Sequence, residues 1–279
     1  MMMKSLNFYM LSSLVAGVMF ALPAAANNWV GTADYTVAAN SAGDEDTVGP
    51  FSRYDFGSGV VLLEPTSTSG NVTMFNGFYQ SFVTKHELNA VEVAAPGLVN
   101  SNYELTVSAS FSQVVTFNTM LNTTTISVNP GGEVKLYLDS TVDKNYNTDV
   151  GFTDGDVILS GVIQSGSGGS FGFGSQVIGV TNLEILINSY DANVFEPDNI
   201  VAGSSIFTLR LNSPFDAPYI NPISSVMGHT YEAGNGDLKF AADGYIDLAA
   251  APIPELEQHA LILLGFGLIG ILARKRSNA

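Results

Sequence analysis

Apolar and polar residues alternate with a period of two along much of the chain. In "YELTVSASF", Tyr103, Leu105, Val107, Ala109 and Phe111 fall on one side, and Glu104, Thr106, Ser108 and Ser110 fall on the other. That is the pattern of a strand with one buried face. "GEVKLYL" repeats it with Val134, Leu136 and Leu138, and "SIFTLRL" repeats it with Phe207, Leu209 and Leu211. Shorter runs such as "GVVLL", "TTTISV", "DVILSGVI", "LEILI" and "YIDLA" are bounded by Gly, Asn, Asp or Pro, as strands between polar turns are. No segment between residues 27 and 253 carries a helical period. The pattern therefore predicts an all-β fold, an antiparallel β-sandwich or barrel-like double sheet. Ala39 to Pro50 and Asn212 to Ser225 read as long loops, and the Gly-rich Ser165 to Gly174 reads as a flexible connector between strands.

The two ends follow a different grammar. Lys4, an apolar stretch from Leu6 to Leu22 and the triplet Ala24-Ala25-Ala26 match a secretory signal peptide, with Ala24 and Ala26 as the small residues of the cleavage site. At the other end, Ala260 to Ala273 carries no charge and stops at Arg274, Lys275 and Arg276. As a helix it would rise roughly 21 Å, short of the ~30 Å hydrocarbon core, and the basic cluster would stay on the cytoplasmic side. The expected layout is a signal peptide (1–26), one all-β extracellular domain (27–248), and a linker with a C-terminal transmembrane helix and tail (249–279). The tail reads either as a permanent anchor or as a removable signal.

Composition limits the partners. Residues 27 to 253 hold 24 acids against six Lys and Arg, a surface that repels nucleic acid and anionic lipid. The chain has no Cys, so an exported domain of this size must be held by its core alone.

Candidate chemistry is sparse. Gly168-Gly169-Ser170-Phe171-Gly172 fits G-x-S-x-G, but a strand-to-helix turn is missing around it, which argues against a catalytic Ser170. His86, His229 and His259 stand alone, without metal-ligand spacing. The best-organised constellation is "LDSTVDKNYNTDVGFTDGD". It places Asp143, Asn145, Asn147 and Asp149 at alternate positions, with Asp139 before and Asp154 after. Oxygen ligands at that spacing suit a calcium loop. Thr148 stands where the sharp turn normally wants Gly, however, and Asp154 where a bidentate Glu is usual. A plain Asp/Asn turn explains the same residues.

Pro254-Glu255, a short polar stretch, the Gly-containing apolar run and the basic cluster together closely resemble the PEP-CTERM sorting signal of Gram-negative bacteria. The resemblance implies recognition of Pro254 and Glu255 by an exosortase-like membrane protease. It further implies a transient hold in the inner membrane and release toward a cell surface rich in exopolysaccharide. Leu256 stands where the family usually has Pro. The body, with "LDSTVDKNYNTD" followed by "GDVILSGVIQSGSGGSF", resembles flocculation-associated PEP-CTERM proteins of the PepA type, implicated in floc formation.

The leading expectation is an exported, non-enzymatic matrix protein associated with exopolysaccharide and with cell aggregation in flocs or biofilm. A calcium ion would help bridge its carboxylates to acidic polysaccharide. One alternative is a carbohydrate-binding module using Trp29, Tyr54, Tyr79, Tyr146 and Tyr219 as exposed platforms. The other is a secreted polysaccharide hydrolase with a carboxylate pair.

Overall fold

The computed structural model describes residues 28–93, 97–173, 176–200, 204–211 and 222–250. The chain opens with β1 (Gly31–Asp34), a 3₁₀ turn at Tyr35–Val37, β2 (Thr47–Phe51) and β3 (Arg53–Phe56). A meander follows through β4 (Gly59–Ser69), β5 (Val72–Leu88), the short β6 (Val91–Glu92), β7 (Glu104–Asn118), β8 (Thr123–Asp139), β9 (Asp156–Phe173) and β10 (Gln176–Tyr190). Then come β11 (Phe195–Glu196), β12 (Ser204–Leu211), the β13 (Ser225–Val226) and β14 (His229–Thr230) hairpin, a 3₁₀ turn at Ala233–Asn235, and β15 (Leu238–Asp247).

Eight of these strands close on themselves. β4, β5, β7, β8, β9, β10, β12 and β15 pair antiparallel in that order, and β15 returns to β4 through Leu238↔Leu63 and Ala242↔Gly59. β3 extends the line of β4 and fills the same gap between β5 and β15 further down. The result is a single up-and-down barrel. Of the two architectures that the alternation allowed, two packed sheets are thus replaced by one sheet without free edges, which removes the unpaired backbone groups an open sheet would expose.

The period-two pattern sets what faces inward. Leu105, Val107, Ala109 and Phe111 of β7 and Leu183, Ile185 and Ile187 of β10 are buried in one continuous core, while Thr106, Ser108, Ser110 and Asn182, Glu184, Asn188 occupy the opposite faces of those strands. Barrels that span outer membranes show the reverse, an apolar band outside and polar residues within.

Two sequence expectations are corrected here. Ser165 to Phe173, read as a flexible connector, is the second half of β9, paired to both β8 and β10. Its glycines serve close packing: a Cβ at Gly168 would lie 2.2 Å from the Val180 carbonyl oxygen. The loop expected at Ala39 to Pro50 ends earlier, because Thr47 already begins β2.

The barrel has unlike ends. The β4–β5 and β7–β8 turns and the paired ends of β9 and β10 lie together at one end, the mouth. At the other, the three-stranded sheet β11-β1-β2 closes the base with aromatic side chains. Trp29 meets Phe51 and Phe195 edge-on, at ring-centre distances of 5.4 and 5.9 Å, a favoured aromatic geometry. Asn28 bridges to Ala249, so the described chain begins and ends at this base. A smaller cluster sits outside the barrel. Val60 and Leu62, on the outward face of β4, are buried beneath Ile223 and Val226 of the hairpin segment.

Candidate functional site

Near the mouth the inward-facing side chains stop meeting across the barrel and leave a cup of about 400 Å³. Its walls are chiefly apolar: Val61 and Leu63 from β4, Phe75 from β5, Val115 from β7, Ile126 from β8, and Leu209 and Phe240 from β12 and β15. Phe111 contributes from deeper in the barrel, and its ring fits because position 77 on the neighbouring strand is glycine; a Cβ there would lie 2.4 Å from that ring. No ionisable side chain lines the cup among the described residues. The rim is also greasy. Met120 and Leu121, on the β7–β8 turn, are 92% and 70% exposed.

Polar groups enter the wall at a few points. Thr124 and Ser170 hydrogen-bond to each other at 2.6 Å across β8 and β9. Gln113 and Thr181 are only 4% and 6% exposed and make no hydrogen bond through their side chains among the described residues. Ser170 therefore lies within a strand, with Thr124 as its partner, in a cup that no histidine or carboxylate lines among the described residues. The arrangement of a nucleophile elbow is absent there.

The Asp/Asn loop between β8 and β9 is divided between two tasks. Asp139, Asp143 and Asp154 converge, each offering a carboxylate oxygen within 4.8 Å of the others. Burial first, then the neighbouring Asp154 and Asp139 charges, raises the Asp143 carboxyl above its ordinary range. Asp149 points elsewhere: it accepts from Gln80 Nε2 at 2.9 Å and from the backbone N–H groups of Met227 and Gly228. Asn145 accepts from the Asn147 backbone N–H at 2.9 Å, an Asx turn, and Asn147 is exposed. Of the five residues expected to share an ion, the structure brings together Asp143 and Asp154, adds Asp139, and places Asp149 in a separate network.

The loop is fastened to the barrel by a buried ion pair. Glu104, on the outer face of β7, meets Lys144 Nζ at 2.8 Å and accepts the Lys144 backbone N–H at 3.0 Å. Burial raises the Glu104 carboxyl, and the Lys144 charge and hydrogen bond oppose that rise.

The aromatic platforms expected for a sugar site are mostly core. Trp29, Tyr54 and Tyr79 are buried, and half-buried Tyr146 packs beside Phe152 and over the outer cluster. Tyr219 lies outside the described residues. His86 is enclosed at the base, where Tyr35 Oη lies 2.7 Å from its Nε2, and burial pushes its pKa down to about 3. His229 stacks on Phe78 and reaches Glu64 at 3.2 Å.

Ala24, Ala26, Pro254, Glu255, Arg274, Lys275, Arg276 and His259 also lie outside the described residues. Among the described residues no helix is long and apolar enough to cross a membrane. The cup escaped the sequence reading, although it leaves a trace. Past Phe111 and Ile163, the inward positions of β7 and β9 turn from Leu, Val and Ile to Gln113, Gly166, Gly168 and Ser170. No protein-family model, curated protein or solved structure matches this chain.

Proposed function

We propose that this is an exported, non-enzymatic cell-surface protein whose barrel holds a small, mainly apolar molecule in its mouth. The observation that carries the reading is the apolar cup itself. At about 400 Å³ it falls within the range of cavities that enclose small ligands, roughly 300–1,000 Å³, and eight-stranded closed barrels are just wide enough to hold one. The base is filled and the mouth is not, so the opening defines one route of entry.

Location enters this reading through the chain ends. The signal-peptide grammar supports export, and the PEP-CTERM-like tail supports a hold in the inner membrane followed by exosortase-type transfer to the exopolysaccharide layer. Ala250, the last described residue, is at the closed base, the end opposite the cup. The test is saturable binding of an uncharged fluorescent probe, N-phenyl-1-naphthylamine, by the wild type and by Val115→Trp, which fills the cup. A single site lost in the variant supports the reading, and an unaltered isotherm removes it.

A second reading, adhesion within the matrix of flocs or biofilm, is favoured by the acid-rich surface and by the convergence of Asp139, Asp143 and Asp154. Calcium shared between these carboxylates and an acidic polysaccharide would turn repulsion into attachment. Deleting Pro254 to Ala279 tests the sorting element common to both readings. Export should persist while surface placement changes, and unchanged placement would exclude sorting by the tail.

A further inference from the structure

The wall of the cup selects its occupant further, and we infer that the ligand is an uncharged amphiphile: a hydrocarbon chain or ring system ending in an alcohol, ester or amide. The inference rests on the cup being a ligand site and adds the chemistry of the head group. Two observations carry it.

The first is that Gln113 and Thr181 are buried polar side chains in the wall without a hydrogen-bond partner among the described residues. Their polar atoms are therefore left to water in the cup, and a bound molecule that displaces that water must supply hydrogen bonds in its place. The inward positions they occupy, β7 opposite Val128 and β10 opposite Leu209, would otherwise suit Leu or Val. Gln113 offers both a donor and an acceptor, and Thr181 a hydroxyl that can do either. Together they match a neutral head that both gives and takes hydrogen bonds.

The second is the absence of ionisable groups in the lining among the described residues. A carboxylate or ammonium head would enter an apolar cup with no counter-charge, at a desolvation cost that neutral hydrogen bonds do not offset. Fatty-acid anions and long-chain amines are thereby disfavoured against alcohols, esters and amides of the same chain. The exposed Met120 and Leu121 on the rim give the hydrocarbon part a first contact before it descends past Val115 and Phe75.

Competition against N-phenyl-1-naphthylamine at pH 8 tests this on the full chain, with decan-1-ol, decanamide and decanoate as competitors. The expected result is displacement by the alcohol and the amide at least about tenfold more potent than by decanoate. Gln113→Leu should reduce the advantage of decanamide about tenfold while the probe still binds, since the probe depends on the apolar walls. Thr181→Val is the second variant, should Gln113→Leu fail to fold, and the same loss of head-group preference is expected in it. Equal potency of decanoate and decanol in the wild type overturns the inference while leaving the cup as a binding site. Failure of the probe itself to bind in wild type overturns the cup reading as well. Full head-group preference in both variants assigns the selectivity elsewhere and overturns the roles of Gln113 and Thr181.

Discussion

Asp149 accepts the backbone N–H of Gly228 at 2.7 Å, joining the β8–β9 loop to the turn of the β13–β14 hairpin. Its other oxygen accepts from Gln80 on β5 and from the Met227 N–H, so one carboxylate ties two segments, its own loop and the hairpin turn, to the barrel's outer face. This arrangement separates Asp149 from the neighbouring acids that the sequence groups with it. Hydrogen bonds to a charged group contribute about 1.5–3 kcal/mol, and Asp149→Ala is expected to lower stability by about 2 kcal/mol. Urea unfolding with and without calcium reads this out. The loss should be the same in both conditions, and a loss seen only with calcium would return Asp149 to the ion site.

Asp143 and Asp154 should behave in the opposite way. If a calcium ion sits among Asp139, Asp143 and Asp154, calcium at about a hundred times its Kd stabilises the wild type by about 2.7 kcal/mol. Chelator removes that gain. Asp143→Ala should show little difference between the two conditions, because the ion has lost a ligand. A wild-type melting temperature indifferent to calcium excludes the ion.

The Glu104–Lys144 pair makes a prediction about order of removal. Lys144→Met leaves a carboxylate enclosed without its cation, and breaking a buried pair from one side costs about 3–5 kcal/mol. Glu104→Gln combined with Lys144→Met keeps an acceptor for the Lys144 backbone N–H and carries no buried charge. Chemical denaturation should rank the double variant above the single Lys144→Met. The reverse ranking would mean that the charge at position 104 contributes through other contacts.

Acid stability should report His86. Its folded pKa of about 3 lies below the ordinary histidine value of 6.5, so between those limits the unfolded chain takes up a proton that the folded chain refuses. Stability from this group is complete above about pH 6.5 and falls as the pH drops, with a slope approaching about 1.4 kcal/mol per pH unit. His86→Gln should flatten that slope between pH 6 and 4. An unchanged slope would place the acid sensitivity in other groups.

The alternation from Tyr103 to Phe111 made the inward face of β7 legible from the sequence, because burial on one side of a strand leaves a local record. Closure leaves none. The pairing of β15 with β4, residue 238 opposite 63, joins distant segments whose alternation suits a sandwich equally well. Gly166 and Gly168 misled for a related reason: glycine in a run with serine has linker composition, yet here it lets neighbouring strands approach. The division of the Asp/Asn loop was hidden too, since spacing puts Asp143 and Asp149 in one group while the fold gives Asp149 the amides of residues 227 and 228. The cup was partly visible in Gln113 and Thr181, polar residues at inward positions, but it became a site only when β12 and β15 completed the wall.

The bridge between Asn28 and Ala249 also has a mechanical meaning. Traction applied at Ala250 and directed away from the base runs along β15, which is paired with β12 from Ile206 to Leu211 on one side and with β3 and β4 on the other. Those ladder bonds are then stressed in shear, many at once, and the strand cannot be unzipped one pair at a time. A pull in that direction therefore meets the barrel where it is most resistant.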